Sequence, residues 1–485
     1  MLFNSLEFLV FFPLVATIYF LLPHKFRAYL LLAASYFFYG YWKVEYLGLI
    51  VLSTLVDYFA GIGISSTKKK NVKKVFLLSS LTINLGLLFI FKYFNFVNDS
   101  LQTAFGYVGV NYSYTALNVL LPIGISFYTF QTISYTIDVY RGKVKPERNL
   151  WIFALYVSFF PQLVAGPIER ASRLIPQFYK EMDFDWDRIR SGLILVLWGF
   201  FKKIVIADRV GIYVDQVYSQ PSEYSGIQLV IASYFFAYQI YCDFSGYTDI
   251  ARGTARVLGF DLMENFRRPT VVRSANEFWQ SWHISLTKWM MDYVYYPLAR
   301  KFRTPVQRAF VVLFVFFLIG AWHGAAWNFI FFGIYSGIVL IFGQATRPLR
   351  NKISERIFPK DSPKAQTVYK YVQYFIGLNV FVVGAMFFRS SSSQNIYYLF
   401  TGIFKNWSFT AQNIFVYKFE AYELTIAIFA IIALELGERF RQYYNAEEEI
   451  LKLSLPKRWA VYYLMIFVVV LFGEYGVTPF IYFQF

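Results

Sequence analysis

Two histidines stand in matching surroundings. His283 lies in Phe278-Trp279-Gln280-Ser281-Trp282-His283-Ile284-Ser285-Leu286, and His323 in Gly320-Ala321-Trp322-His323-Gly324-Ala325-Ala326-Trp327-Asn328. Each follows a tryptophan. His323 falls inside an otherwise uncharged apolar block, 309–346, where a polar side chain is costly unless it has partners or a task. Burial favours the neutral form of an imidazole, and a neutral imidazole can take a proton from a hydroxyl, as a general base must. Gly324, Ala325 and Ala326 are expected to leave open space for a substrate beside it, although small residues equally permit close helix packing. The plainer alternative is a hydrogen-bonded structural histidine. Two histidines in Trp-His settings favour function over it, without naming the reaction. The third, His24, sits beside Lys25 in a short turn and reads as interfacial.

A second polar stretch runs Gln239-Ile240-Tyr241-Cys242-Asp243-Phe244-Ser245-Gly246-Tyr247-Thr248-Asp249, followed by Arg252 and Arg256. Asp249 and Arg252 are three apart and can pair on a helix, a structural network being favoured over a proton relay. Cys242 is the single cysteine, which excludes an internal disulfide and a multi-cysteine metal site. With no activating histidine near it in sequence, an inert packed thiol is expected. No phosphate-binding glycine loop, zinc-binding His-Glu-x-x-His or serine nucleophile elbow is present, and no metal is expected.

The elements that must position these residues follow from composition. Apolar residues make up 57% and charged residues 16% of the chain, against about 45–50% and 25% in soluble domains, so there is too little polar surface to cover a soluble protein. The excess lies in blocks, Leu6–Leu22, Tyr46–Ile64, Val75–Ile90, Phe310–Ile319 and Tyr462–Phe472, several long enough to cross a hydrocarbon core. No period-two alternation recurs, which argues against a barrel. The backbone in lipid must satisfy its own hydrogen bonds, and the fold class is therefore all-α, a polytopic integral membrane protein.

The net charge of +16 sits in short connectors, around Lys68–Lys74, Arg141–Arg148 and Arg300–Arg308. That is the pattern of cytoplasmic loops, attractive to anionic membrane lipid. No reading module accompanies the charge, so nucleic acid is excluded as a partner. Loops 68–74 and 141–148 are placed in the cytoplasm, and 97–115 and the terminal Phe485 outside, with Ala116–Val139 as the re-entering span. The first apolar stretch has no basic leader or cleavage site and reads as a retained helix. The chain divides as one domain, 1–485, with an N-terminal helical scaffold (1–150), a catalytic centre (151–346) and C-terminal helices (347–485) with spans near 371–388, 422–437 and 460–473. The centre is broken by Pro161, Pro167, Pro176, Pro221 and Pro269. Irregular backbone at membrane depth is tolerated only inside protein or around a cavity, so re-entrant segments around a chamber are expected there.

A resemblance then adds what spacing cannot. The chain resembles the membrane-bound O-acyltransferase superfamily, in its bacterial alginate O-acetyltransferase-like branch. The likeness rests on Met1-Leu2-Phe3-Asn4-Ser5, Leu121-Pro122-Ile123-Gly124-Ile125-Ser126-Phe127-Tyr128-Thr129-Phe130-Gln131, Gln162-Leu163-Val164-Ala165-Gly166-Pro167-Ile168, Asp243-Phe244-Ser245-Gly246-Tyr247, both Trp-His motifs, Phe387-Phe388-Arg389 and Pro479-Phe480-Ile481-Tyr482-Phe483-Gln484-Phe485. Each is weak alone; in order they are strong. The resemblance implies His323 as the catalytic residue and His283 as its helper. It implies a ring of helices around a thinned centre, with a funnel reaching the active histidine. Trp282, Trp322, Asn328, Asp243 and Tyr247 are then candidates for lining the substrate site. No bound cofactor is expected. The donor substrate is an acyl thioester, acetyl-CoA first, taken from the cytoplasm. The acceptor is a secreted or cell-envelope polysaccharide, reached directly or through an extracytoplasmic partner protein, and the place is the bacterial cytoplasmic membrane. D-alanyl transfer to teichoic acid is an alternative within the family. Outside it stand a polysaccharide transporter or export component, disfavoured by the absence of an inverted hydropathy repeat, and a scaffold without activity of its own.

Overall fold

The computed structural model describes residues 1–483 apart from 165, 391, 408, 477 and 478. All its named elements are helices. Six of them, among the described residues, are long and apolar enough to cross a membrane: Val44–Ser66, Lys70–Tyr107, Pro305–His323, Trp327–Ala345, Pro363–Arg389 and Leu455–Phe472. This is a multi-pass all-α membrane protein. The chain forms two compact units, Met1–Val196 with Tyr247–Met263, and Leu197–Gly246 with Glu264–Phe485.

In the first unit, the helices Leu47–Ser66, Lys70–Leu88 and Ile125–Tyr140 are pinned by one buried carboxylate. Asp57 accepts hydrogen bonds from Ser80 Oγ at 2.5 Å, Thr136 Oγ1 at 2.6 Å and Asn84 Nδ2 at 2.7 Å, and Ser53 Oγ donates to Asn84 Oδ1 at 2.7 Å. These buried polar groups are thus satisfied by neighbouring helices, as they must be away from water. The helix that begins at Lys70 runs on, through a π-turn at Phe89–Tyr93, as Phe94–Tyr107. One sequence expectation changes here. Of the expected span Ala116–Val139, only Ile125–Tyr140 is helical. Pro122 has no N–H to give, and Gly124 takes φ +77° against the Leu163 carbonyl, where a Cβ would come within 2.8 Å. The apolar run before them forms no helix.

The expected interruption of the middle is present as short helices, Leu150–Ser158, Phe160–Leu163, Ala171–Phe178, Ala275–Ser281 and Ile284–Met290. In the second unit the core piece is a hairpin of Pro305–His323 and Trp327–Ala345. Thr304 starts it with a capping box closed by Gln307, which satisfies two otherwise orphaned amides. The two helices touch backbone to backbone. A Cβ on Gly320 would lie 2.3 Å from the Phe329 carbonyl oxygen, and one on Gly333 2.3 Å from that of Phe316. Without a hydrophobic drive between helices in lipid, such close approach is what holds them. The helix Leu455–Phe472, by contrast, buries no part of its apolar window in the chain, as befits a surface in contact with lipid tails.

Candidate active site

His323 is the last residue of the first hairpin helix, and Gly324 then leaves in an extended conformation. The space beside Gly324 is not open: a Cβ there would sit 2.1 Å from the Phe329 ring. Gly324 thus serves close packing, the second of the two roles open to a small residue there, and does not leave open space. The hairpin glycines draw Phe332 up to His323, ring centres 5.8 Å apart.

His283 is held by different means. It has φ +39° and ψ +56°, left-handed values that cost a non-glycine residue free energy and cluster at functional sites. Asn265 fixes the turn: its carbonyl accepts from the Ile284 N–H at 3.0 Å and its side-chain Oδ1 from the Ser285 N–H at 3.1 Å. The result presents the imidazole inward, with no exposure to solvent. Burial pushes its pKa down to about 3, so His283 is favoured in its neutral form, in which an imidazole can hydrogen-bond or accept a proton.

The two motifs, 40 positions apart in sequence, meet. The His283 and His323 ring centres are 6.4 Å apart, with Trp322 5.3 Å from the former and 5.1 Å from the latter. Phe244 closes the His283 side at 4.7 Å; Phe388 and Tyr482 close the His323 side at 5.2 and 5.4 Å. Both imidazoles are buried. A buried aromatic setting with two imidazoles suits proton transfer to and from a reacting hydroxyl, because electrostatic interactions are strengthened away from bulk solvent.

The remaining candidate residues have surroundings of their own. Trp282 stacks on Phe278 and lies 5.1 Å from Phe381. Asn328 Nδ2 donates to the Phe388 carbonyl at 3.0 Å and so steadies the ring against His323. Asp243 meets Lys203 Nζ at 2.7 Å, which also reaches Asp208 at 2.7 Å, and accepts the Ile481 N–H at 2.7 Å. Tyr247 belongs to the first unit, where its hydroxyl donates to Asn4 at 3.4 Å and its ring lies 5.3 Å from Phe3. Asp249 and Arg252 pair at 3.5 Å in that same unit. Cys242 is buried. Among the described residues no group of three or more acidic, histidine or cysteine side chains could hold a metal.

Asn265 escapes a reading of the sequence, and Phe388 and Tyr482, which stand in motifs that carry the resemblance, are given no place in the site there. Only Lys202-Lys203, inside an apolar run, carried a usable signal, since paired lysines buried there demand acidic partners. Phe480 and Tyr482 pack on Phe244, and Tyr482 also on His323; Phe485, expected outside, lies beyond the described residues.

Comparison with known proteins agrees with this geometry. Residues 148–387, which contain both histidines, match the model of the membrane-bound O-acyltransferase family. The chain is 34% identical to the "Probable alginate O-acetylase" of Azotobacter vinelandii, over 92% of this chain and 86% of that one. It is 32% identical to the peptidoglycan O-acetyltransferase of Helicobacter pylori over 75% of this chain and 71% of the relative. It is 28% identical to the teichoic acid D-alanyltransferase of Bacillus subtilis, over 46% and 59%. The chain belongs to the membrane-bound O-acyltransferase family, and it is an O-acyltransferase.

Proposed function

We propose that this chain moves an acetyl group from a cytoplasmic thioester to hydroxyls of an extracytoplasmic polysaccharide, directly or through a partner protein outside the membrane. The observation that carries the reading is the meeting of the two imidazoles, 6.4 Å apart, in one buried chamber. The relatives named for acetyl transfer to alginate and peptidoglycan match far more of the chain than the D-alanyltransferase does, which favours acetyl over D-alanyl. Alginate and peptidoglycan are the first acceptors to try. The membrane is the bacterial cytoplasmic membrane, the only one with thioester on one face and envelope polymer on the other.

A cavity of about 860 Å³ supports the donor's side of this reading. Arg273, Arg347 and Arg350 stand in its wall, while Trp279, Phe332 and Phe381 line its apolar part. Phe332 is the ring against His323 and Phe381 the ring against Trp282, so the cavity backs onto the chamber. Guanidinium groups pair with phosphate, and apolar walls suit the thioester arm of coenzyme A. In the reaction, His323 takes the proton of the acceptor hydroxyl as its oxygen attacks the thioester carbonyl. The carbon–sulfur bond then breaks, and the departing thiolate takes up that proton. A variant course has His323 carry the acetyl group itself between donor and acceptor. His283 orients the reacting group from beside it.

The test is purified protein in nanodiscs with acetyl-labelled coenzyme A and polysaccharide acceptor. Label should pass to polymer, or accumulate on protein when acceptor is withheld, and His323→Ala should abolish both. A wild-type protein that neither consumes the thioester nor becomes labelled would refute acetyl transfer and return transport to consideration.

A further inference from the structure

The tail that follows the last spanning helix returns to the active site, and its attachment is built from buried charge. The helix carrying Asp208 is opened by a π-turn at Phe201–Ala207, a distortion that frequently marks functional sites. Two residues of this platform and one just beyond it hold the tail. The Ile204 carbonyl accepts the Glu474 N–H at 2.9 Å. Arg209 donates to the Phe472 carbonyl at 2.9 Å and pairs with Glu474 at 2.9 Å. Lys203, 1% exposed, joins Asp208 and Asp243. Asp243 uses its other oxygen for the tail, accepting the Ile481 N–H at 2.7 Å. The residue after Ile481 is Tyr482, whose ring lies 4.5 Å from Phe244 and 5.4 Å from His323. Its hydroxyl oxygen is buried and makes no hydrogen bond among the described residues.

We propose that Asp243 is a positioning residue for acyl transfer, acting through the C-terminal tail: neutralised by Lys203 and bonded to the Ile481 amide, it holds the Tyr482 hydroxyl in the His323 chamber. A lone buried carboxylate would be too costly to keep charged. Lys203 removes that cost, and a charged acceptor makes the single amide contact strong. A buried hydroxyl left unbonded is itself costly. The Tyr482 hydroxyl finds its acceptor when a substrate arrives, donating to the thioester carbonyl oxygen as charge develops on it. The tail is therefore a wall of the site, with Asp243 as its latch. The inference rests on the acyl-transfer reading, but the latch has a readout of its own.

That readout is amide exchange in the tail, followed by mass spectrometry of the peptide containing Ile481. Asp243→Ala should speed exchange there by at least tenfold and lower kcat at least tenfold, with the donor KM within twofold of wild type. Deleting 479–485 should cause the same loss of kcat, and combining the two should add nothing. Asp243→Asn, which keeps an oxygen for the amide, should recover part of the activity. Should Asp243→Ala fail to fold, Ile481→Pro removes the donor N–H and leaves the ion cluster intact; the same fall in kcat is expected. Unchanged exchange in Asp243→Ala, additive losses with the deletion, or full activity in Ile481→Pro would each overturn the latch. A wild-type protein without acyl transfer would refute the functional reading alone, since the exchange difference would stand.

Discussion

The imidazoles of His283 and His323 lie 6.4 Å apart, ring centre to ring centre, with Trp322 beside both. Neither is delivered by a long-range charge. One ends a helix fixed by a glycine hairpin, and the other sits at a left-handed residue clamped by Asn265. The pair is thus held by backbone geometry, the rigid kind of support that a site needs to keep reacting groups in register.

If the two act on one reacting centre, their removal is not additive. His323→Ala should abolish transfer, and His283→Ala should lower kcat by roughly 10²–10⁴, the usual range for a positioned acid–base group. The double variant should be no worse than His323→Ala. Near-normal acetylation by His323→Ala in cells lacking the native copy would end its catalytic assignment. Unchanged turnover in His283→Ala would make that residue structural.

The glycine hairpin offers a test of support at a distance. A Cβ on Gly320 would meet the Phe329 carbonyl at 2.3 Å, whereas one on Gly343 meets nothing within 4 Å. Gly320→Ala should lower the apparent Tm, consistent with about 1–3 kcal/mol of overpacking, and should reduce kcat with it. Gly343→Ala should leave both unchanged or raise the Tm slightly. Thermal unfolding in detergent, run beside activity, decides; equal behaviour of the two variants would count against the hairpin as the support of His323.

The Trp-His motifs were legible because their oddity is local: a histidine in an uncharged apolar block is visible in a window of nine residues. The membrane class was legible from composition for a similar reason. The places of Asn265 and Tyr482 in the site were not. Asn265 serves His283 from 18 positions upstream, and Ile481 meets Asp243 across 238 positions, with nothing in either local sequence to announce the contact. The span expected at Ala116–Val139 failed differently. Apolarity does not by itself report helicity, and the part of the span ahead of the Gly124 turn forms no helix.

The donor cavity makes a kinetic prediction. Arg347 and Arg350 line it and lie away from the imidazoles' own ring contacts. Charge reversal, Arg347→Glu with Arg350→Glu, should raise the KM for acetyl-CoA at least tenfold while kcat at saturation stays within about threefold, the pattern of lost ground-state binding. A fall in kcat with KM unchanged would place the donor elsewhere.

Orientation is tested by single-cysteine labelling in a Cys242→Ser background with a membrane-impermeant reagent in intact cells. Position 70, in the lysine-rich loop, should be protected, and position 107, at the end of the helix Phe94–Tyr107, should react. The reverse pattern would invert the protein and with it the inside-to-outside route for the acyl group.

The last prediction concerns pH and lies in the first unit. Glu169 is fully buried, accepts the Met263 N–H and meets Arg173 at 3.4 Å. Burial pushes its carboxyl from an ordinary value of 4.5 up to about 7. Below 4.5 the folded and unfolded chains both hold the proton. Between 4.5 and 7 the unfolded carboxyl ionises while the folded one stays protonated, so stability falls as pH rises through that window and is level above it. The loss is at most about 3.5 kcal/mol, since each pH unit crossed in the window contributes roughly 1.4 kcal/mol. Glu169→Gln keeps a neutral, hydrogen-bonding side chain at every pH. The apparent Tm of the wild type should therefore decline from pH 5 to pH 7.5, and that of Glu169→Gln should decline less, leaving the variant the more stable of the two at pH 7.5. Parallel Tm curves for the two proteins would show that Glu169 is already ionised in the fold, with Arg173 outweighing the cost of its burial.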